Sequence, residues 1–301
     1  MIKNIDIAGK GVGMRLHKPV LDELGIQSHF VRLPDYDLLR NYNENIKSDY
    51  LIIGTPVYKH IKHLEYSISH YQTILCEKPV GNDLMSLYVL YNNHAKARVY
   101  VDYQLRFLKC TNTIKQLIAS ESFDCIHIEY CSNARISDDI PYWYKDINLG
   151  GGIAYSILPH IVDLMLYYGM LLNCNLISVC SDSRFLDSMS SDMILESGTL
   201  IHICVDTLSP YDSFNIKLFK GSEQTVFDII SDTEVKDDSE IRYFNGALSS
   251  RNEGPWRNGF RNLMRSFRDS DQIDPRTANL IDAINVHKVL NAFLSKHKNN
   301  N

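Results

Sequence analysis

The chain has 301 residues, of which 45% are hydrophobic and 22% are charged. Disordered and fibrous proteins do not have this composition, and the length predicts two domains with buried cores. The formal net charge is −5 and no dense run of lysine and arginine occurs, so we expect neither nucleic acid nor a membrane surface as a partner.

The apolar segments and the cysteines predict where the protein resides. The longest apolar run, Leu164–Leu172, is far shorter than the roughly 18 residues that a membrane-spanning helix needs. The N-terminal residues lack the apolar core of a signal peptide. The seven cysteines are odd in number and contain no C-x-x-C pair, which indicates reduced thiols. We therefore expect a cytoplasmic location.

The N-terminal third of the chain alternates between strand and helix patterns. Strands that alternate with helices at this spacing predict a parallel sheet with right-handed crossovers, an α/β fold. The predicted strands are Ile5–Ala8, Ser28–Leu33, Tyr50–Ile53, Thr73–Cys76 and Arg98–Tyr103, and the predicted helices are Pro19–Leu24, His60–His70 and Asn82–His94.

The rest of the chain is dominated by strand patterns that polar turns separate. This pattern of strands and turns predicts an α+β unit built on one antiparallel or mixed sheet. Ser231–Phe260 is polar and rich in glycine and asparagine, so we expect a loop without a regular element there. The predicted strands are Cys125–Cys131, Leu176–Cys180, Thr199–Val205 and Phe214–Phe219, with one internal helix, Tyr155–Tyr168.

Two amphipathic helices are predicted at the C-terminal end. The second of them is expected from about residue 275 to 295, because Asp274 suits the N-cap and Pro275 the first helical position. The first carries apolar residues at helical spacing, namely Phe260, Leu263, Met264 and Phe267.

A glycine-rich turn follows the first predicted strand. In a dinucleotide-binding G-x-G-x-x-G turn, the glycines let the pyrophosphate approach backbone N–H groups at a helix N-terminus. Here the first two glycines fit, the third position is Met14, and a glycine stands one residue earlier. A plain turn is the alternative interpretation. The candidate cofactor-binding residues are Gly9, Lys10, Gly11, Val12, Gly13 and Met14.

The cofactor ribose would bind after the second strand. Asp35 stands there, and its carboxylate can accept hydrogen bonds from both ribose hydroxyls of NAD. Arg32 would instead suit the 2′-phosphate of NADP. Alternatively, Asp35 only begins a turn after Pro34. We expect NAD as the cofactor, with NADP as the alternative.

Two more motifs stand where the third and fourth predicted strands end, at the edge where a parallel sheet binds its ligand. Thr55 and Pro56 precede His60, and they suit a helix start as well as a ligand contact. Glu77 and Lys78 follow the fourth strand, and the lysine can stabilise a hydroxyl or a developing alkoxide. The structural alternative is a surface ion pair.

A glycine triplet, Gly150–Gly152, precedes the internal helix and its polar residues. Ser156, His160 and Asp163 are spaced i, i+4 and i+7, so we expect them on one helical face. His160 could serve as a general acid or base near neutral pH. A histidine that is only hydrogen-bonded to Asp163 is the alternative, and no ligand cluster indicates a metal.

Taken in order, the glycine-rich turn, Glu77-Lys78-Pro79, Gly150–Gly152 and the His-x-x-Asp segment resemble the Gfo/Idh/MocA oxidoreductases. That family includes glucose–fructose oxidoreductase and inositol dehydrogenase, and the resemblance covers nearly the whole chain. It implies an N-terminal Rossmann domain over residues 1–107 and an α+β domain with an open-faced, largely antiparallel or mixed sheet over residues 108–301. The C-terminal helix would then pack back toward the Rossmann domain.

The resemblance also implies roles for individual residues. Lys78 would lie beside the nicotinamide and the substrate, and His160 would be the acid/base residue. Thr55, Pro56 and His60 would lie near the nicotinamide ribose, and Glu77 beside the cofactor. Tyr103, Arg106 and Ser156 would lie at the substrate cleft. Many members of the family carry aspartate where this chain has Ser156, which cannot supply a charge to His160.

The resemblance implies an NAD(P)-dependent oxidoreductase that transfers hydride between nicotinamide and a sugar, polyol or nucleotide-sugar. The alternatives are a reductase of an imine or conjugated double bond, and a non-catalytic NAD(P)-binding regulator. The small-molecule partner is expected to be a carbohydrate. Phe214 and Phe219 are expected on the open sheet face, where a second subunit of a homodimer or homotetramer would cover them.

Overall fold

The structure is a computed structural model, and it describes residues 2–34, 48–132, 143, 146–170, 174–181, 188–235, 244–245, 254–270 and 272–299. Asp35, the predicted ribose-binding residue, lies outside the described residues. None of the helices in this part of the chain has the length and apolar character that crossing a bilayer requires.

The N-terminal domain is built on a six-stranded sheet with the order β14–β5–β4–β3–β1–β2. Strands β1 to β5 run parallel, and the late strand β14 adds to the edge of β5 in the antiparallel direction. The predicted parallel sheet is therefore confirmed. The strands are β1 (Asn4–Ala8), β2 (Gln27–Val31), β3 (Tyr50–Ile53), β4 (Thr73–Cys76), β5 (Val99–Val101) and β14 (Ala278–Asn279).

In the described part of the chain, helices follow β1, β3 and β4. The first begins as α1 (Lys10–Val12), continues through one π-helical turn (Gly13–His17) and ends as α2 (Lys18–Glu23). The next two are α3 (His60–Ser67) and α4 (Leu84–His94). A 3-10 turn, Gln104–Phe107, then leads to α5 (Lys109–Ser120) of the second domain.

The second domain is built on a mixed sheet with the order β12–β11–β10–β6–β9–β8–β7, and β13 pairs with β10. Within the described residues, β6 and β9 run parallel and the other neighbours are antiparallel, as expected for an open-faced α+β domain. The strands are β6 (Cys125–Cys131), β7 (Cys174–Ser181), β8 (Ser188–Leu195), β9 (Leu200–Asp206), β10 (Tyr211–Lys220), β11 (Glu223–Asp228), β12 (Thr233–Val235) and β13 (Phe244–Asn245).

One face of this sheet packs on the core, and the other is open. Alternate residues of β9 are buried, which is the pattern of a sheet with one covered face. The expectation that Phe214 lies on the open face is wrong: Phe214 is 1% exposed and lies in the core beside Trp256. Phe219 points to the opposite face of β10, and it is only partly buried.

Two C-terminal helices differ from the prediction in where they begin. Helix α8 (Pro255–Asp269) buries the predicted apolar face, but it begins inside the segment expected to be a loop, as β12 also does. Helix α9 (Leu280–Asn299) begins later than Pro275, because Ala278 and Asn279 form β14. The Asn279 side chain then accepts hydrogen bonds from the first backbone N–H groups of α9, so it caps the helix in place of Asp274.

Candidate functional site

The glycine-rich turn lies where β1 ends, against the end of β3. Gly9 has φ +109°, and a Cβ there would lie 2.2 Å from the carbonyl oxygen of Gly54, so only glycine fits. A Cβ on Gly13 would lie 2.9 Å from Ile7, which means that Gly13 supplies the close helix–strand contact. Met14, at the expected third glycine position, is 52% exposed and takes no part in this packing.

The same turn has space for a ligand. A Cβ on Gly11 would meet no other atom within 4 Å. No side chain caps the helix that begins at Lys10, so its first backbone N–H groups remain available to another partner. Such an open helix N-terminus fits a pyrophosphate group. Arg32 is exposed at the end of β2, on the side where the ribose would lie.

The turn after β3 is joined to the segment after β4 by His60. Its ring nitrogens lie 2.8 Å from the Pro79 carbonyl oxygen and 2.6 Å from that of Thr55. Burial lowers the pKa of His60, although both carbonyls oppose this. The structure thus places His60, expected near the ribose, in a buried bridge between two turns. Thr55 Oγ1 lies 2.9 Å from Nδ1 of His63.

Lys78 reaches from the end of β4 to the second domain. Its Nζ donates a hydrogen bond to the backbone oxygen of Ser156, at 2.6 Å. The expected single helix Tyr155–Tyr168 is wrong, because α6 (Ile153–Ser156) and α7 (Leu158–Tyr167) are separate helices. The break between them leaves the Ser156 oxygen accessible to Lys78. The N–H of His160 bonds to the Ile157 oxygen rather than to that of Ser156.

His160 lies in α7 and is 3% exposed. Its ring centroid is 4.7 Å from that of Trp256, which approaches from the start of α8, and 6.2 Å from that of Tyr103. Nδ1 has no hydrogen-bond partner in the described residues. Burial lowers the pKa of His160 well below its usual value, and the positive charge of Lys78 lowers it further. The imidazole is therefore neutral at pH 7.

Tyr103 and Arg106 lie next to each other but face different groups. Tyr103 is buried beside His160, and its hydroxyl has no partner in the described residues. Arg106 binds Asp163 through two nitrogens at 2.9 and 2.6 Å, and it also contacts Asp282 at 3.2 Å. The structure therefore places Arg106 in a buried ion pair that links the domains rather than at the expected substrate position.

A buried charge cluster lies below the ends of β4 and β5. Nε2 of His17 is 2.9 Å from Oε1 of Glu77 and 3.7 Å from Oδ2 of Asp102. These atoms could ligate a metal ion, but a His–Glu hydrogen bond accounts for the shorter distance.

Glu77 of this cluster is predicted as a site residue from the sequence, whereas His17, Asp102 and Trp256 are not. The local sequence gives little sign of these residues, because a histidine in a first helix and an aspartate after a strand are common surface residues.

No model of a protein family matches the sequence, and no curated protein does. Solved structures match its fold. Myo-inositol dehydrogenase from Corynebacterium glutamicum has a TM-score of 0.72 at 15% identity, over 98% of this chain and 96% of that one. The scyllo-inositol dehydrogenase of Lactobacillus casei, solved with NAD(H) and scyllo-inositol, has a TM-score of 0.70 at 14% identity. The match covers 100% of this chain and 98% of that one. A super-repressor mutant of Gal80p from Saccharomyces cerevisiae has a TM-score of 0.73 at 13% identity. The match covers 100% of this chain and 97% of that one.

These similarities confirm the fold that the motifs implied. The chain has the two-domain architecture of the inositol dehydrogenases, with a Rossmann-type sheet followed by an open-faced mixed sheet. Because a fold hosts different functions, the activity has to be argued from the site.

Proposed function

We propose that the protein is an NAD(P)-dependent oxidoreductase acting on a hydroxyl or carbonyl group of a sugar, polyol or nucleotide-sugar. The observation that carries the proposal is the approach of Lys78 to the Ser156–His160 segment, at the edge of the sheet that also bears the glycine-rich turn. The positive charge of Lys78 and the imidazole of His160, which can accept a proton, thus lie beside a site that fits a dinucleotide.

The cofactor would lie along the glycine-rich turn, with its pyrophosphate at the open space beside Gly11. Thr55, Pro56 and Glu77 stand at neighbouring strand ends, where the nicotinamide half would reach them. We favour NAD over NADP because Asp35 suits ribose hydroxyls. The NAD(H) bound in the scyllo-inositol dehydrogenase of the same fold supports this choice.

The chemistry divides between the cofactor and two side chains. A bound nicotinamide accepts or supplies the hydride. His160 is neutral, so it can take the proton of a substrate hydroxyl and return it in the opposite direction. Lys78 places a positive charge where the alkoxide develops. Ser156 donates its hydroxyl hydrogen to the Gly152 oxygen at 2.8 Å, so it holds the turn in place.

Cofactor binding is tested by thermal unfolding with NAD⁺, NADH, NADP⁺ and NADPH in turn. A ligand at 100 times its Kd adds about 2.7 kcal/mol to the free energy of unfolding, so the melting temperature should rise measurably. Gly11→Val fills the open space without touching a neighbour, and it should abolish this rise. Met14→Val, on the exposed side of the same turn, is the matched control. No rise with any of the four nucleotides would refute the proposal.

Turnover is tested with myo-inositol, scyllo-inositol and a panel of aldoses and polyols. With a substrate found in this way, Lys78→Ala should lower the rate by roughly 10²–10³. His160→Ala should lower it by roughly 10²–10⁴, and both variants should keep their affinity for the nucleotide. Turnover that survives both substitutions unchanged would contradict the catalytic roles.

A non-catalytic regulator is the second candidate. It is favoured by Ser156 in place of a charged residue, by the unpartnered Nδ1 of His160 and by the likeness to a super-repressor mutant. Nucleotide binding together with a sugar-induced thermal shift, but without oxidation or reduction across the panel, would support the regulator instead of the enzyme.

We also propose that the protein is cytoplasmic and forms a homo-oligomer through the open face of its second sheet. Neighbouring strands place Phe219, Cys125, Leu200 and Ile194 in one row, and the last two are each 37% exposed. A second copy of the chain would cover this apolar row. Sedimentation velocity should show a dimer or tetramer that Leu200→Asp dissociates, while a monomeric native protein would contradict the proposal.

A further inference from the structure

His17 is a fully buried histidine on the first helix, and the proposed reaction assigns it no role. Four elements fix its position. Glu77 and Asp102 approach Nε2 from the ends of β4 and β5. The ring of Phe260, in α8, lies 4.7 Å away, and a Cβ on Gly54 would lie only 3.3 Å from the imidazole. The imidazole therefore has a single orientation available.

The charges of this cluster follow from its burial and its hydrogen bonds. Burial lowers the pKa of His17, but the nearby carboxylates of Asp102 and Glu77, of which Glu77 is hydrogen-bonded to the ring, more than reverse this and raise it to about 9. Burial would raise the pKa of Glu77, yet the His17 bond lowers it, and Lys78 and His60 add to the lowering. Burial and the charge of Glu77 raise the pKa of Asp102 to about 7. At neutral pH an imidazolium thus faces an ionised Glu77.

We propose that His17 is a positioning residue for Lys78. The positive charge of Lys78 contributes to the lowered pKa of the Glu77 carboxyl, so that carboxylate is an alternative to the Ser156 oxygen as a partner for the lysine ammonium. By binding that carboxylate, the imidazolium of His17 keeps Lys78 directed across the cleft toward Ser156, 2.6 Å away. The inference rests on the proposed function, in which Lys78 acts at that place.

Removing the positive charge leaves a buried carboxylate without its cation, which is costly. After His17, Lys78 is the residue of the described part of the chain whose positive charge acts most strongly on Glu77. In His17→Gln, which keeps an amide donor but no charge, Lys78 should turn toward Glu77 and leave the Ser156 oxygen. A pure packing role for His17 would lower stability without redirecting the lysine.

The test measures the reactivity of Lys78 with acetic anhydride by mass spectrometry, with the exposed Lys3 as the internal reference. In His17→Gln the labelling of Lys78 should fall roughly threefold or more, because pairing with Glu77 holds the amine protonated. His287→Gln is the matched control, since His287 is equally buried but lies on α9 with Asp83 as its charged neighbour. It should leave the labelling of Lys78 unchanged.

Two further variants separate the charge effect from a loss of structure. Glu77→Gln alone, and Glu77→Gln combined with His17→Gln, remove the competing carboxylate, so Lys78 labelling should stay at the native level in both. Unchanged or higher labelling in folded His17→Gln would overturn the proposal, and so would a decrease that persists in the double variant. The measurement needs neither nucleotide nor substrate, so it can be interpreted even if the proposed activity is wrong.

Discussion

His160 shows how burial sets the chemistry of a single residue. Its pKa lies well below the usual value because the ring is buried under Trp256 and faces the charge of Lys78. In the folded protein the imidazole is therefore neutral at pH 7 rather than an imidazolium.

The lowered pKa of His160 predicts how the stability of the protein depends on pH. The unfolded chain takes up a proton at this residue near pH 6.5, whereas the folded protein does not, so stability is complete above pH 6.5 and falls below it. The contribution is about 1.4 kcal/mol for each pH unit. Urea denaturation between pH 6.5 and 5 should show a shallower loss in His160→Gln than in the native protein.

The exposed His70 provides the control for this measurement. It lies at an exposed position, and His70→Gln should leave the slope unaltered. A native slope in His160→Gln would mean that His160 already carries its proton in the folded protein, and the neutral-base role would have to be withdrawn.

At the scale of elements, the break between α6 and α7 shows where sequence reasoning succeeds and where it stops. The spacing of Ser156, His160 and Asp163 correctly predicts a helical segment, but it gives no sign that the helix is interrupted at Ile157. Pro159 has no N–H to donate, so this part of the chain tolerates a break. The interruption matters because it leaves the Ser156 oxygen for Lys78.

The strands of the parallel sheet could be predicted from local patterns, but β8 and β11 of the second sheet were not predicted. Buried parallel strands such as β3 and β4 are short apolar runs bounded by glycine or charge, which a sequence displays directly. Strand β14 is different, since its existence depends on the free edge of β5 rather than on its own residues. The partners of His17 and Arg106 likewise come from distant parts of the chain, and no local pattern encodes them.

The close approach of Gly150 to Val57, in the 3-10 turn before α3, leads to a prediction about packing. Gly150 has φ +82°, and a Cβ there would lie 2.6 Å from Cγ1 of Val57. Gly150→Ala should lower the free energy of unfolding by about 1–2 kcal/mol for backbone strain and by roughly another 1–3 kcal/mol for the clash. Urea denaturation measures the sum.

Gly169 separates these two costs. It has the same φ of +82°, but a Cβ there meets nothing within 4 Å, so Gly169→Ala should show the strain alone. In a Val57→Ala background, Gly150→Ala should cost no more than Gly169→Ala does. If its full cost remained in that background, the close approach of Gly150 to Val57 would not be the cause.

At the scale of the whole molecule, Arg106 joins the segment that leaves the first sheet to helices α7 and α9. Arg106 stands where the chain leaves the first sheet, Asp163 lies on the helix that carries His160, and Asp282 lies on α9. The side chains of Arg106 and Asp163 are 5% and 1% exposed. Burial would lower the pKa of Arg106, but the charge of Asp163 raises it, so the guanidinium stays charged. The position of His160 relative to Lys78 thus depends on a buried ion pair.

We expect a large loss of stability when the ion pair between Arg106 and Asp163 is broken. Arg106→Met leaves Asp163 buried without a cation, and such a loss typically costs about 3–5 kcal/mol. Arg106→Met combined with Asp163→Leu should recover most of it, because an apolar pair needs no compensating charge. Lys18→Met breaks the exposed ion pair with Asp22, and as a control it should cost less than about 1 kcal/mol. Urea denaturation gives all three values, and a cost of Arg106→Met no larger than that of Lys18→Met would show that this ion pair does not hold the domains together.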